Sequence, residues 1–225
     1  MIESNLTAVR QRIVRAAAAC GRDPAAIRLL AVSKTRPVED VLMAYAAGCR
    51  DFGENYVQEG EQKILASAGL KADWHFIGPI QSNKTRVIAE HFHWVHSVDR
   101  LKIAQRLSEQ RGEGKAPLQL CVQVNISNEE SKGGVAVAEL PALVAGIMAL
   151  PRLQLRGLMA IPAPTTAVAV QRAAFAAVRG AFSELRQSWP QLDTLSMGMS
   201  AYLEAAIDEG ATIVRVGTDI FGARP

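Results

Sequence analysis

Apolar residues along the chain alternate between two rhythms, short continuous runs and longer stretches at helical spacing. Leu6, Val9, Ile13 and Ala17 recur every three or four residues and predict an N-terminal helix that Gly21 would stop. Ile27 to Ser33 is a run too short for a helix and reads as a strand buried on both faces. Pro37 suits the first turn of the next helix, where its missing N–H costs nothing. Val38, Val41, Leu42 and Tyr45 would form that helix's inner face, and Gly48 would end it.

The same unit then recurs. Strands are predicted over Arg50 to Gly53, Asp73 to Ile77, His93 to Ser97, Leu118 to Asn125, Leu153 to Met159, Leu192 to Ser196 and Thr212 to Val216. Helices fall between them. One runs to about Ala68, one spans Ser82 to His91, and one is capped by Asp99 and carries Leu101, Ile103, Ala104 and Leu107. Others cover Val137 to Leu150, a long stretch with Phe175, Val178, Phe182 and Leu185 on one side, and Ser200 to Gly210. Eight strands alternating with helices in under 250 residues predict a closed (β/α)8 TIM barrel with an extra N-terminal helix. The rival, an open doubly wound sheet, would want a glycine fingerprint after its first strand, and Ser33-Lys34-Thr35 has none. With no domain-scale linker or fixed-period repeat, residues 1–225 are expected to form a single domain.

Composition narrows the function. Hydrophobic residues make up 49% and charged residues 21%, and the net charge of +3 is too mild and too evenly spread to point to nucleic acid. Cys20, Cys49 and Cys121 are widely spaced and odd in number, so they form neither a disulfide framework nor a paired metal motif. They fit a reducing cytoplasm. Met1 to Asn5 lacks a basic region followed by an apolar core, so no secretory signal is expected, and no apolar run is long enough to cross a bilayer.

In such barrels the active site lies at the C-terminal ends of the strands, and phosphate sites favour the loops after the last two. Those loops here are Ser196 to Ser200 and Gly217-Thr218-Asp219. Both offer small residues, hydroxyls and a helix N-terminus that suits an anion. Either alone could be only a helix cap; side by side they favour a ligand. Lys34 would point into the same mouth. A surface lysine has a pKa of about 10.4 and is a poor nucleophile, whereas burial near other cations lowers that value and favours attack on an aldehyde. A solvated lysine at a strand terminus is the alternative. Arg215 would end the eighth strand; an ion pair with Asp219 or Glu204 and a role towards a ligand are both open to it.

Seven motifs in order carry a resemblance that runs from the first strand to the last residues. They are AVSKT around Lys34, FGENYVQE (Phe52 to Glu59), WHFIGPIQSNK (Trp74 to Lys84), NISNEESKGG (Asn125 to Gly134), RGLMAIP (Arg156 to Pro162), LSMGMS (Leu195 to Ser200) and VRVGTDIFGAR (Val214 to Arg224). In these the chain resembles the pyridoxal phosphate homeostasis protein family, of YggS/PROSC type, which is akin to the barrel domain of alanine racemase. The resemblance implies a cytoplasmic barrel that binds pyridoxal 5'-phosphate (PLP), with Lys34 carrying the cofactor as a Schiff base. Ser200, Gly217 and Thr218 would hold the phosphate, Arg215 the ring nitrogen, and Asn55 and Met199 would be pocket neighbours. A guanidinium only donates hydrogen bonds, so Arg215 would leave a pyridine nitrogen unprotonated and the cofactor a weak electron sink. That suits holding PLP more than catalysis. The family is associated with intracellular PLP balance and supply to PLP-dependent enzymes, so transient contact with the apo forms of such enzymes is expected, from a monomer. One departure is Ala201-Tyr202, where the family has polar residues before Glu-Ala; Tyr202 would cover the phosphate edge or lie on the helix surface.

Rival signals are weaker. Gly78 to Thr85 lies between strand and helix as a P-loop does, but Asn83 stands where glycine is needed and Pro79 has no N–H to offer. His75, His91, His93 and His96 suggest a metal site, yet His93 and His96 would face opposite sides of a strand and no metal-ligand spacing completes the set. No metal is expected. A short single-domain amino-acid racemase is the functional alternative, but that reaction needs a base on each face of the cofactor. Only Tyr45, Tyr56 and Tyr202 are available tyrosines, and no residue is assigned a catalytic role. Lys84 and Lys132 are further candidate lysines, Lys132 as a transient PLP contact.

Overall fold

The computed structural model describes residues 1–126, 133–163 and 165–223. Its strands are β1 (Arg28–Val32), β2 (Asp51–Glu54), β3 (Asp73–Phe76), β4 (Trp94–Val98), β5 (Leu118–Gln123), β6 (Leu153–Met159), β7 (Thr194–Met199) and β8 (Ile213–Val216). Each pairs in parallel with the next, and β8 closes on β1 with Arg215 opposite Leu30. The predicted TIM barrel is the observed architecture. Its helices are α1 (Ile2–Ala19), α2 (Val38–Ala46), α3 (Val57–Ala66), α4 (Thr85–His91), α5 (Leu101–Gln110), α6 (Leu140–Met148), α7 (Val168–Ser188), α8 (Leu203–Asp208) and α9 (Thr218–Phe221).

Burial on both faces explains why the strands read as apolar runs. Their outer faces meet the helices in one continuous core that includes Phe52, Phe76, Phe92, Phe175 and Leu107. Fully burying one such side chain contributes about 1.5–3 kcal/mol. Their inner faces hold a second, smaller cluster of Leu30, Trp94, Cys121, Met159 and Ile213, with Ile77 packed against it. Leu6, Val9, Ile13 and Ala17 are the buried residues of α1, as their spacing predicts, and that helix packs against α2, α8 and α9.

Several boundaries differ from the pattern's prediction. Pro37 stands outside α2 as its N-cap, and the buried face of α2 is Val41 and Ala44, with Leu42 left 42% exposed. A small side chain suits the closest line of approach between helix and neighbours, and pattern reading favours the larger apolar residue instead. Asp99 does not cap α5; Arg100 is the N-cap, and the Asp99 carboxylate accepts from its guanidinium at 2.6 Å. The helices predicted from Ser82, Val137 and Ser200 each open as a 3-10 turn before the α-helix begins. β7 continues past Ser196 to Met199 through an irregularity against β8. Gly198 makes that possible: its φ is +92°, and a Cβ there would lie 2.5 Å from the Ala206 Cβ. Among the described residues no helix is long and apolar enough to cross a membrane.

Candidate functional site

Side chains alternate along a strand, so the inward face of β1 runs from Leu30 through Val32 to the residue just beyond the strand, Lys34. Lys34 is half-buried and lines a narrow crevice with Val32, Arg36, Gly217, Thr218 and Phe221. The lysine and the loop after β8 thus face one space at the barrel mouth. Arg36 ties the two edges together by donating to the Gly222 carbonyl at 2.6 Å.

The loop after β7 is joined to the loop after β8 through α1. Arg12 on α1 donates to Glu204 Oε1 at 2.8 Å, to Asp219 Oδ2 at 2.5 Å and to the Ser200 carbonyl at 2.9 Å. One guanidinium therefore links Ser200 to the turn that carries Thr218. Met199, 37% exposed, stands in register with Arg215. Tyr202 is half-buried against the outer core rather than lying on the helix surface.

Arg215 is buried and pairs with no carboxylate among the described residues; Asp219 and Glu204 both meet Arg12 instead. It donates to the Ser196 carbonyl at 2.7 Å, to Ser196 Oγ at 2.9 Å and to the Ala160 carbonyl at 2.9 Å. Burial lowers its pKa to about 10, which still leaves it cationic at neutral pH. Of its five N–H groups, two have no acceptor among the described residues. Asn55 follows β2, and its Oδ1 is buried with no hydrogen-bond partner. The backbone there is crowded by the next strand's loop: a Cβ on Gly78 would come within 2.0 Å of the Asn55 carbonyl oxygen, so only glycine fits.

Lys34, Gly217 and Thr218 are thus brought together in one crevice, whereas Asn55, Met199, Ser200 and Arg215 stand outside its wall, on adjoining strand ends. Lys84 lies in the 3-10 turn Ser82–Lys84 and does not line the crevice either. Lys132, with Glu129 and Glu130, lies outside the described residues. No His, Cys, Asp and Glu group suited to a metal occurs among the described residues.

Two polar networks adjoin the site, and apart from the i,i+4 pair Glu59–Lys63 their contacts are not apparent from sequence spacing. Behind Lys34, on the helix side of the sheet, Lys63 Nζ meets Ser33 O, Glu54 Oε1 and Glu59 Oε1. Inside the barrel, a chain of contacts runs from Arg215 through Ser196, His96 and His75 to Asp51.

The sequence profile described as "Alanine racemase, N-terminal domain" matches residues 4–225. The chain belongs to that family. Among curated relatives, it is 62% identical to the pyridoxal phosphate homeostasis protein of Pseudomonas aeruginosa, over 99% of this chain and 96% of that one. The protein of the same name from Escherichia coli is 53% identical, over 99% and 97%. The structure of PipY from Synechococcus elongatus with PLP bound is 40% identical and superposes with a TM-score of 0.86, over 99% of this chain and 100% of that one. Such coverage places the chain among the pyridoxal phosphate homeostasis proteins of the family, as its seven motifs imply.

Proposed function

We propose that this chain binds PLP at the barrel mouth, carries it as a Schiff base on Lys34, and serves intracellular PLP balance by releasing it to PLP-dependent enzymes. The observation that carries the reading is the shared crevice of Lys34 with Gly217 and Thr218. An amine and an anion-suited loop then face each other, as an aldehyde with a phosphate tail requires. The chain's likeness to PipY, solved with PLP bound, supports the same choice of ligand.

The residues fit the group. Ser200, Gly217 and Thr218 supply hydroxyls and backbone N–H groups for the phosphate, drawn together by Arg12. Arg215 keeps two N–H groups in reserve and offers no acceptor, so it would face the ring nitrogen as a donor and leave it unprotonated. Asn55, with its buried and unpartnered Oδ1, and Met199 would border the ring. PLP supplies an aldehyde that reacts with amines; the protein's part is to present one amine, neutralise the phosphate and hold the ring without activating it. The chain acts as one domain, as a monomer in the cytoplasm, in passing contact with apo-enzymes and without robust catalysis.

Native mass spectrometry before and after borohydride reduction, followed by digestion, tests the assignment. A single PLP fixed to the peptide containing Lys34 is expected. No adduct, or an adduct on another lysine, would overturn it. Rapid inversion of a free amino acid by the purified holo-protein would replace the carrier reading with a racemase.

A further inference from the structure

The residue after the lysine is strained. Thr35 has φ +63°, a left-handed conformation that a β-branched residue rarely adopts. Such backbone persists only where its surroundings over-determine it.

The surroundings here converge on one buried ammonium. Lys63 on α3 is 5% exposed, and its three N–H groups meet three acceptors: the Ser33 carbonyl at 2.6 Å, Glu54 Oε1 at 2.8 Å and Glu59 Oε1 at 2.6 Å. The Ser33 hydroxyl donates to the same Glu54 oxygen at 2.6 Å. The strained Thr35 donates its backbone N–H to the same Glu59 oxygen, also at 2.6 Å. The cluster therefore grips the residue on each side of Lys34 while lying on the opposite face of the sheet from the mouth.

Stability alone is a poor reason for such a cluster. A buried ion pair can often be replaced by apolar side chains at no loss, because desolvation offsets the attraction. Here Glu54 Oε2 is even left without a hydrogen bond. An apolar replacement would leave the Ser33 carbonyl held only by the Arg36 N–H, at 3.1 Å, and could not hold the Glu59 carboxylate that receives the Thr35 N–H.

We propose that Lys63, through Glu54 and Glu59, is a positioning residue for Lys34: it locks the peptide on both sides so that the amine is presented to the barrel mouth. This rests on Lys34 being the anchor for PLP. The effect falls on attack by the amine, in which the C=N bond forms as water leaves, and not on the phosphate loops.

The test follows Schiff-base absorbance after PLP is added to apo-protein, for wild type, Glu59→Ala, Glu59→Gln and Lys63→Met. Inorganic phosphate serves as a competing probe of the phosphate loops, and a thermal melt monitors folding. Glu59→Ala removes the acceptor for Thr35 and is expected to slow the reaction about tenfold, as expected for a displaced reacting group. Glu59→Gln keeps an oxygen there and should recover most of the rate. Inhibition by inorganic phosphate should be the same in wild type and both variants. Wild-type rates in folded Glu59→Ala would overturn the proposal, as would a loss of phosphate inhibition in step with rate, which marks general damage. Lys63→Met should be slower still; Glu59 is partly exposed, so its two variants decide the matter even if Lys63→Met fails to fold. If wild type itself gives no borohydride-trapped adduct at Lys34, the assignment of the anchor fails, and the positioning role with it.

Discussion

His75 Nδ1 and His96 Nε2 face each other at 2.9 Å in the middle of the barrel, and their contact fixes the direction of a hydrogen-bonded chain across it. At one end, the Asp51 carboxylate only accepts, so His75 Nε2 donates to it over 3.1 Å. Both rings are fully buried and burial holds both below the usual histidine pKa, His96 well below it, so both are neutral at pH 7. A neutral His75 must then accept at Nδ1 from His96, and His96 must accept at Nδ1 from the Ser196 hydroxyl over 2.7 Å. Arg215 donates to that hydroxyl's oxygen from the other end. Donors and acceptors thus match along the whole line from Asp51 to Arg215.

The first prediction is a pH dependence of stability. Arg28 and Arg215 oppose a positive charge on the pair, while Asp51 and Asp73 favour one on His75; burial outweighs them. In the unfolded chain a histidine titrates near pH 6.5. The folded values are lower, so below that pH the unfolded state binds more protons. The stabilising contribution is complete above about pH 6.5 and is lost as pH falls through the window beneath it. Thermal melts from about pH 8 to about pH 5 should therefore decline more steeply for wild type than for His96→Gln, whose amide offers an NH2 donor group and a carbonyl acceptor without titrating. Equal slopes would mean that burial does not hold His96 below its unfolded pKa, and a shallower wild-type slope that the native protein favours the charged form.

Removing the proposed anchor should separate folding from binding. Lys34 is half-buried at the barrel rim, so Lys34→Ala is expected to melt within about 1 kcal/mol of wild type. It should lose the yellow absorbance of the Schiff base entirely. Phosphate binding should persist, because Gly217 and Thr218 are untouched. A borohydride-trapped adduct in this variant would shift the anchor to Lys84 or Lys132.

The barrel was legible because parallel strands buried on two faces leave continuous apolar runs, and eight of them fit the chain. The mouth was legible for a similar reason: alternation along β1 and β8 sends Lys34, Arg215 and Gly217 inward whatever their partners. Contacts between residues far apart in the chain leave no such trace. Ser196 and His96 are a hundred residues apart, and Glu54 and Lys63 sit on different elements at a spacing neither helix nor strand repeats. The surroundings of Arg215 were hidden in the same way: its acceptors are Ser196 and the Ala160 carbonyl on other elements, while Asp219 and Glu204 meet Arg12, a residue of α1 that periodicity marks only as solvent-facing.

Arg12 leads to the next prediction. It is 28% exposed, Glu204 55% and Asp219 34%, so the pairs themselves contribute little, about 0.2–1 kcal/mol each before screening. Their consequence is geometric, since the same guanidinium holds the Ser200 carbonyl. Arg12→Ala should leave the melting temperature nearly unchanged and weaken PLP binding severalfold, measured by fluorescence titration in low salt. The loss should be matched by equally weakened competition from inorganic phosphate. A variant with unchanged affinity for both would show that α1 covers the barrel without organising its phosphate loops.

Arg215 carries the sharpest chemical consequence. Its guanidinium donates to the Ser196 and Ala160 carbonyls, so Arg215→Glu removes both bonds and sets a carboxylate against them. The Ser196 carbonyl keeps the Ala160 N–H at 3.1 Å, whereas the Ala160 carbonyl loses its side-chain donor, which should cost roughly 1–3 kcal/mol, visible in chemical denaturation of the apo-protein. With Arg215 at the ring nitrogen as proposed, the change would also reverse the hydrogen-bonding sense there, from a group that only donates to one that accepts. Holo-protein formed by this variant should show a shifted cofactor absorbance and slow transamination with added amino acids, because a protonated ring is the stronger electron sink. Arg215→Met removes the donor without supplying an acceptor; it should be destabilised by a similar amount and show no transamination. If Arg215→Glu is destabilised while its cofactor spectrum matches that of wild type, then the guanidinium serves the barrel interior alone, and the restraint on the cofactor must come from another group.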